Sequence, residues 1–219
     1  SQAEEMLLEE LGLKDLELDD DLYTIVNFSE IQSANRMDAE YFQSKYEKLI
    51  SKLKSQDAKS LKEIFSIRRG DFINPNYYID KARRAYIRIK ELPIKGDLNE
   101  DAVTYVDDSF EGKNTDALKE NDFVFAGIGA TLGKVARIPK ELEGSFYSNN
   151  TACFRLKKEY ENKLNPQYTE IVLQSMVCQL QFEQRQAQTA QAKIADEELQ
   201  TVLIPILPKE TQQKIAEFV

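Results

Sequence analysis

The feature that most constrains this chain is a series of short alternating segments between residues 86 and 156, bounded on both sides by helical periodicity. Tyr86-Ile87-Arg88-Ile89, Asp122 to Phe125, Lys134 to Ile138 and Thr151 to Leu156 carry the two-residue apolar rhythm of strands, and Gly127, Gly129 and Gly133 punctuate them. On the N-terminal side, Phe42, Tyr46, Leu49, Ile50 and Leu53 fall at i, i+4, i+7, i+8 and i+11, which is one face of a helix running from about Ala39. On the C-terminal side, Asn165-Pro166 predicts the start of a long helix, since proline is favoured at the first helical position. Its apolar residues are Tyr168, Ile171, Val172, Leu173, Met176, Val177, Leu180 and Phe182. Strands enclosed by helices in this order predict an α/β chain of mixed α+β type, a globular mixed sheet with flanking helices.

Finer signals fill in the remainder. Residues 2–11 predict a helix entered from Ser1 and ended at Gly12, followed by an acidic connector and a short strand from Tyr23 to Phe28. Ser60 with Glu63 has the capping-box spacing for a brief helix into Ile64. Asp196 opens a turn, Val202 to Ile206 reads as a strand, and Pro208 precedes a final helix. The expected organisation is a leading acidic helix and connector over 1–35, a principal domain over 36–207, and the first turns of a helix over 208–219.

Composition limits the chemistry. The 219 residues contain no histidine, which removes the commonest general base and the commonest metal ligand together. Serine–histidine triads, HNH-type nucleases and most zinc sites are excluded on that ground. No acid followed by acid-x-lysine falls on a predicted hairpin, as a metal-dependent nuclease of that type requires. No metal ligands or cofactor-binding residues are assigned. Cys153 and Cys178 sit among apolar neighbours and are expected to be buried thiols in a reducing cytoplasm. No apolar run approaches the roughly 18 residues that cross a bilayer, so no membrane partner is expected.

The net charge of −9 argues at first against nucleic acid, but its distribution reverses that. The acids Glu4, Glu5, Glu9, Glu10, Asp15, Glu17, Asp19, Asp20, Asp21 and Glu30 crowd the first thirty residues against Lys14 alone, so the rest of the chain is balanced. Within it, Lys62, Arg68, Arg69, Lys81, Arg83, Arg84, Arg88, Lys90 and Lys95 concentrate over residues 62–95. A basic stripe on a neutral body suits a phosphate surface, and it equally suits a solvated charged face.

Arg68-Arg69-Gly70-Asp71-Phe72-Ile73-Asn74-Pro75-Asn76-Tyr77-Tyr78 mixes guanidinium, amide and aromatic groups in a segment that reads as too broken for core structure. Arginine pairs with guanine edges and asparagine or glutamine with adenine, so such a mixture suits the major groove. Ser148-Asn149-Asn150 and the glutamine-rich stretch containing Arg185, Gln188 and Gln191 offer more of the same groups. The expected phosphate contacts are Arg68, Arg69, Arg83, Arg84, Lys90 and Lys134. The expected base readers are Asn74, Asn76, Tyr77, Asn149, Asn150, Gln188 and Gln191, with Tyr78, Arg88 and Arg185 also placed in the DNA-binding set.

Two resemblances bear on these groups. Phe125-Ala126-Gly127-Ile128-Gly129 resembles the glycine loop of S-adenosylmethionine-dependent methyltransferases, and Asn74-Pro75-Asn76-Tyr77 and Asn165-Pro166-Gln167-Tyr168 resemble their adenine-holding tetrapeptide. The tetrapeptides lack the second proline, and the glycine loop leads into a predicted strand where that fold requires a helix. Gly129 with Gly133-Lys134 likewise misses the spacing of a phosphate-cradling Walker loop.

The stronger resemblance spans most of the chain in the right order. Glu120 to Pro139 (ENDFVFAGIGATLGKVARIP) is similar to the glycine-containing hairpin in target recognition domains of type I restriction–modification specificity subunits. Tyr86 to Leu92, the exit Leu203 to Val219, and the segments Ala3 to Leu13 and Arg36 to Ile50 also resemble that family. The resemblance implies a non-catalytic module, residues 36–207, that reads one half of a bipartite double-stranded DNA site. It implies that residues 208–219 begin a spacer helix which docks a methyltransferase subunit, with a separate restriction and translocation subunit completing a cytoplasmic complex. Members usually carry two recognition domains, so one domain here leaves open a self-pairing half-subunit or part of a fusion. Two alternatives stay in play: a fragment of an N6-adenine DNA methyltransferase that binds S-adenosylmethionine, and a protein-interaction module without DNA.

Overall fold

The structure, a computed structural model, describes residues 1–16, 23–98, 103–111, 117–187 and 192–218. Its centre is a four-stranded antiparallel sheet in the order β2–β9–β6–β7, where β2 is Phe65–Arg69, β6 Phe123–Ala126, β7 Val135–Arg137 and β9 Thr151–Leu156. Alternation along these strands sorts side chains to two faces. Phe123, Phe125, Val135, Ala152 and Phe154 enter one apolar cluster, while Val124, Ala126, Ala136 and Cys153 enter another.

The first cluster is covered by helices. It takes in Tyr168, Ile171, Val172 and Leu173 from α5 (Pro166–Gln174) and Val177, Cys178 and Phe182 from α6 (Met176–Arg185). The expected single long helix is therefore two. Ser175 stands between them in extended conformation, and its hydroxyl accepts the Val177 N–H to start α6. Asn165 starts α5 as its sequence promised, its side chain accepting from the N–H groups of Gln167 and Tyr168. Also packed here are Ala3, Leu7, Leu11 and Leu13 from α1 (Gln2–Glu10) and the loop after it, and Leu49 and Leu53 from α3 (Ser44–Lys54). The leading acidic helix thus contributes its apolar side to the main core, while its Glu4 accepts the Met176 N–H at the start of α6.

The second cluster is covered by a smaller sheet in the order β3–β5–β4–β8, formed by Tyr78–Ile79 (β3), Arg84–Ile87 (β4), Thr104–Val106 (β5) and Phe146–Tyr147 (β8). Its β4–β8 pair is parallel. The result is three layers, helices against the main sheet and the small sheet against its other face, a mixed α+β fold. A two-stranded ribbon pairs Ala58–Ser60 (β1) with Leu203–Pro205 (β10), and β1 leads directly into α4 (Leu61–Ile64), which Ser60 and Glu63 cap as expected. Gln212 of α8 (Lys209–Ala216) accepts from Asn165 N–H and donates to the carbonyls of Lys163 and Leu207, fixing α8 against the start of α5.

Two expectations fail locally. Tyr23 to Phe28 forms no strand: Asn27 and Glu30 make a capping box that starts α2 (Phe28–Ala34) instead. Arg68 and Arg69, expected to begin an irregular segment, instead end strand β2, in which Phe65 and Ile67 face the core while Arg68 is exposed.

Candidate nucleic-acid interface

Two of the passages between the sheets, β2 to β3 and β8 to β9, meet, and several of the polar groups converge there. β8 belongs to the small sheet and β9 to the main sheet, so the chain crosses between them over Ser148-Asn149-Asn150. β2 leaves the main sheet at Gly70-Asp71, where Asp71 pairs with Ser148 in a parallel bridge. The Asp71 N–H donates to Tyr147 O at 3.0 Å, and Asn149 N–H donates to Asp71 O at 3.2 Å. The crossing is so close that a Cβ on residue 70 would lie 2.0 Å from Tyr147 O, so only glycine fits. The turn itself is fixed from within: Ser148 Oγ accepts Asn150 N–H, and Ser148 O accepts both the N–H and the hydroxyl of Thr151. A rigid turn thereby presents Asn149 and Asn150 to solvent.

Beside this turn lies a concavity lined by Arg69, Gly127, Ile128, Asn149, Asn150, Lys193 and Asp196, among others. Gly127 N–H donates to Asn150 O, and Gly129 N–H donates to Ala192 O at 2.7 Å. The latter contact and the Ile128–Lys193 bridge bring the loop after α6 onto the tip of the β6–β7 hairpin. The hairpin is braced from behind by Gln179 of α6, whose amide donates to Gly133 O and to Leu173 O. The glycine segment thus turns back into β7 through a single 3-10 turn at Gly129–Thr131, with no helix after it. Arg69 at the end of β2 enters the same concavity, with its Nε donating to Asp196 Oδ1 at 2.9 Å.

The residues expected from sequence divide accordingly. Arg69, Asn149 and Asn150 meet in the concavity. Arg68 is exposed on the opposite face of β2, beside Ser66, Tyr147, Cys153 and Arg155. Asn74, Asn76 and Tyr77 form a separate exposed turn, in which Asn74 Oδ1 accepts Asn76 N–H at 2.9 Å and the Tyr77 ring meets Phe110 edge-on. Arg83 and Lys90 are exposed, and Lys134 is half-buried within the hairpin, where its carbonyl accepts the Ala126 N–H. Gln188 and Gln191 lie outside the described residues.

Four residues of the expected set have internal partners. Arg185 is buried: its Nε donates to Thr201 Oγ1 at 2.7 Å and its Nη1 to Gln181 O and Gln184 Oε1, and burial lowers its pKa from the ordinary value. Arg84 donates to the carbonyls of Asp108 and Phe110 and lies over the Phe146 ring. Arg88 is tied to Glu91 and Thr104 and stacks over Tyr78, whose hydroxyl donates to Ile73 O. These four side chains hold the scaffold, because each places its donors on internal acceptors. The basic stripe is correspondingly thinner than its sequence suggests, and Lys95 is also engaged, by Glu4 of α1.

Lys193 and Asp196 were missed by sequence reasoning. They reach the site only because a loop distant in sequence folds onto the hairpin tip, and no local pattern announces that.

Among the described residues no cluster of side chains could hold a metal ion, and no helix is long and apolar enough to cross a membrane. The family model of the type I restriction modification DNA specificity domain matches residues 54–219. The chain belongs to that family. The specificity domain shares its fold with solved relatives at low identity. The S subunit of a type I restriction–modification system from M. genitalium matches with a TM-score of 0.51 and 15% identity, over 74% of this chain and 37% of that one. The HsdS subunit from Thermoanaerobacter tengcongensis matches with a TM-score of 0.51 and 17% identity, over 74% and 35%. The type IIG restriction endonuclease BpuSI matches with a TM-score of 0.56 and 13% identity, over 88% and 30%. The specificity domain therefore spans about a third of the length of these structures. No curated protein matches it in sequence.

Proposed function

We propose that this specificity domain reads one half of a bipartite site in double-stranded DNA and so directs a type I restriction–modification complex whose chemistry resides in other subunits. The observation that carries this reading is the junction of the two sheets, where Arg69, Asn149, Asn150 and Lys193 surround one concavity on a rigid frame. Amide groups carried on a turn fixed by backbone hydrogen bonds, beside a guanidinium held by Asp196, suit base edges in a groove, because the frame is set before DNA arrives. Arg68, Arg83, Lys90 and Lys134 are assigned to phosphates, and Asn74, Asn76, Tyr77, Gln188 and Gln191 to further base contacts. α8 is assigned as the start of the spacer helix that docks a methyltransferase subunit, with the restriction subunit joining the full assembly in the cytoplasm.

A second reading has its own support. The match to the type IIG endonuclease covers 88% of this chain against 74% for the two S subunits, so it takes in more of the chain. The same recognition surface would then serve catalytic domains on its own polypeptide.

Anisotropy of a labelled duplex titrated with the chain at several salt concentrations tests DNA binding. Log affinity is expected to fall linearly with log salt, and Arg83→Ala is expected to reduce that slope by about one. Absence of binding at low salt would favour the protein-interaction alternative.

A further inference from the structure

Arg69 has a geometry that a simple phosphate contact does not need. Its Nε and Nη2 both donate to Asp196 Oδ1, which occupies one edge of the guanidinium. The Nη1 side lies over Gly127, where a Cβ would stand 2.6 Å from Nη1. The missing side chain at 127 is what allows the planar group to lie against the hairpin. Its stem is fixed too, since β2 pairs Arg69 with Ala152 of β9.

With one edge held by Asp196, the Nη1/Nη2 end keeps a pair of parallel N–H donors. That pair matches the O6 and N7 acceptors of guanine in the major groove. Asn149 and Asn150, on the rigid turn of the same concavity, flank it with amide groups. A forked donor pair also suits a phosphate, but its place between the two turn amides, in a concavity and not on an open ridge, points it at a base edge.

We infer that Arg69 is a guanine-reading residue whose guanidinium is oriented by Asp196 and seated on Gly127, so that this chain specifies a G·C pair at one position of its DNA site. Asp196 is here a positioning residue. The inference rests on the DNA-reading function proposed above and assigns Arg69 to a base where the sequence suggested phosphate.

The test selects duplexes from a random double-stranded DNA pool with the full chain, and repeats the selection with Arg69→Lys, Asp196→Asn and Gly127→Ala. Thermal melting of each variant confirms that it folds. The wild-type chain is expected to enrich a motif containing one G·C pair whose preference falls at least about tenfold in Arg69→Lys, with the other positions kept. Asp196→Asn and Gly127→Ala are expected to weaken preference at that same position. A purely structural role for Asp196 would leave the preference at that position unmoved. Unchanged preference in folded Arg69→Lys overturns the inference while leaving DNA reading intact. A uniform loss across the motif, with a salt slope smaller by about one, also overturns it and returns Arg69 to the phosphates. If the wild-type chain enriches no motif, both the inference and the function it rests on fall.

Discussion

Arg155 on β9 grips Asp122 at the head of β6 with two N–H groups, Nε to Oδ1 at 2.9 Å and Nη2 to Oδ2 at 2.6 Å. Asp122 is buried, and it also accepts Lys119 N–H, while Arg155 reaches on to Ala117 O. The pair therefore closes the edge where the main sheet meets the chain entering it. Removing one partner leaves the other buried charge without compensation. Asp122→Ala is expected to cost about 3 kcal/mol, at the lower end of such losses because Arg155 is partly exposed. Urea denaturation of the variant against the wild type reads this directly.

The Gly70 crossing yields a sharper steric prediction. Backbone atoms of Tyr147 and Ser148 occupy the space a methyl group would need, and backbone cannot rotate aside as a side chain can. Gly70→Ala is expected to destabilise the fold by about 2 kcal/mol. It is also expected to disturb the Ser148–Asn150 turn and so lower DNA affinity, an effect that melting and anisotropy together will separate from instability alone.

Glu170 supplies a pH dependence. It is buried in α5, and burial raises its pKa, opposed by the N–H and guanidinium of Arg137, which donate to its two oxygens. A raised folded-state value means that the native state holds the proton more tightly than the unfolded chain does. The stability this group contributes is thus fully present below the ordinary glutamate pKa of about 4.3 and is lost as pH rises through the folded value. In Glu170→Gln that dependence is absent. The difference in melting temperature between wild type and variant, followed upward from acid pH, is expected to shift against the wild type. A flat difference would show that Arg137 fully offsets the burial.

The two thiols should be inert in the folded protein. Cys178 is fully buried and Cys153 nearly so, and burial raises the pKa of both. Since the thiolate is the reactive form, a thiol reagent at about pH 8 is expected to label neither until denaturant is added. Rapid labelling of the native protein, followed by absorbance, would contradict the packing described here.

Local signals in the sequence carried the elements with strong caps and periodicity. Ser60 with Glu63, Asn165-Pro166 and the alternation of Thr151 to Leu156 each state their structure within a few residues. β2 was legible too, since Phe65, Ser66, Ile67 and Arg68 alternate. Its two arginines drew the reading toward a loop, although Arg68 merely faces outward from a strand. The helix break at Ser175 was harder to see, because serine within an apolar run carries no decisive signal until it caps a new helix. The site was legible only in part. Asn149, Asn150 and Arg69 were singled out by residue type, whereas Arg84, Arg88, Tyr78 and Arg185 share those types and serve the scaffold. What separates the groups is burial and partners at long sequence separation, such as Arg185 with Thr201, and these follow from tertiary packing.

The most direct measurement is the affinity of the chain for its enriched duplex against the same duplex with single base pairs replaced, at one fixed salt concentration. Sequence reading predicts that each replaced pair within the half-site weakens binding by roughly 1–3 kcal/mol, with flanking pairs neutral. Equal affinity for every replacement would mean that the junction grips only the DNA backbone, and the account would be wrong.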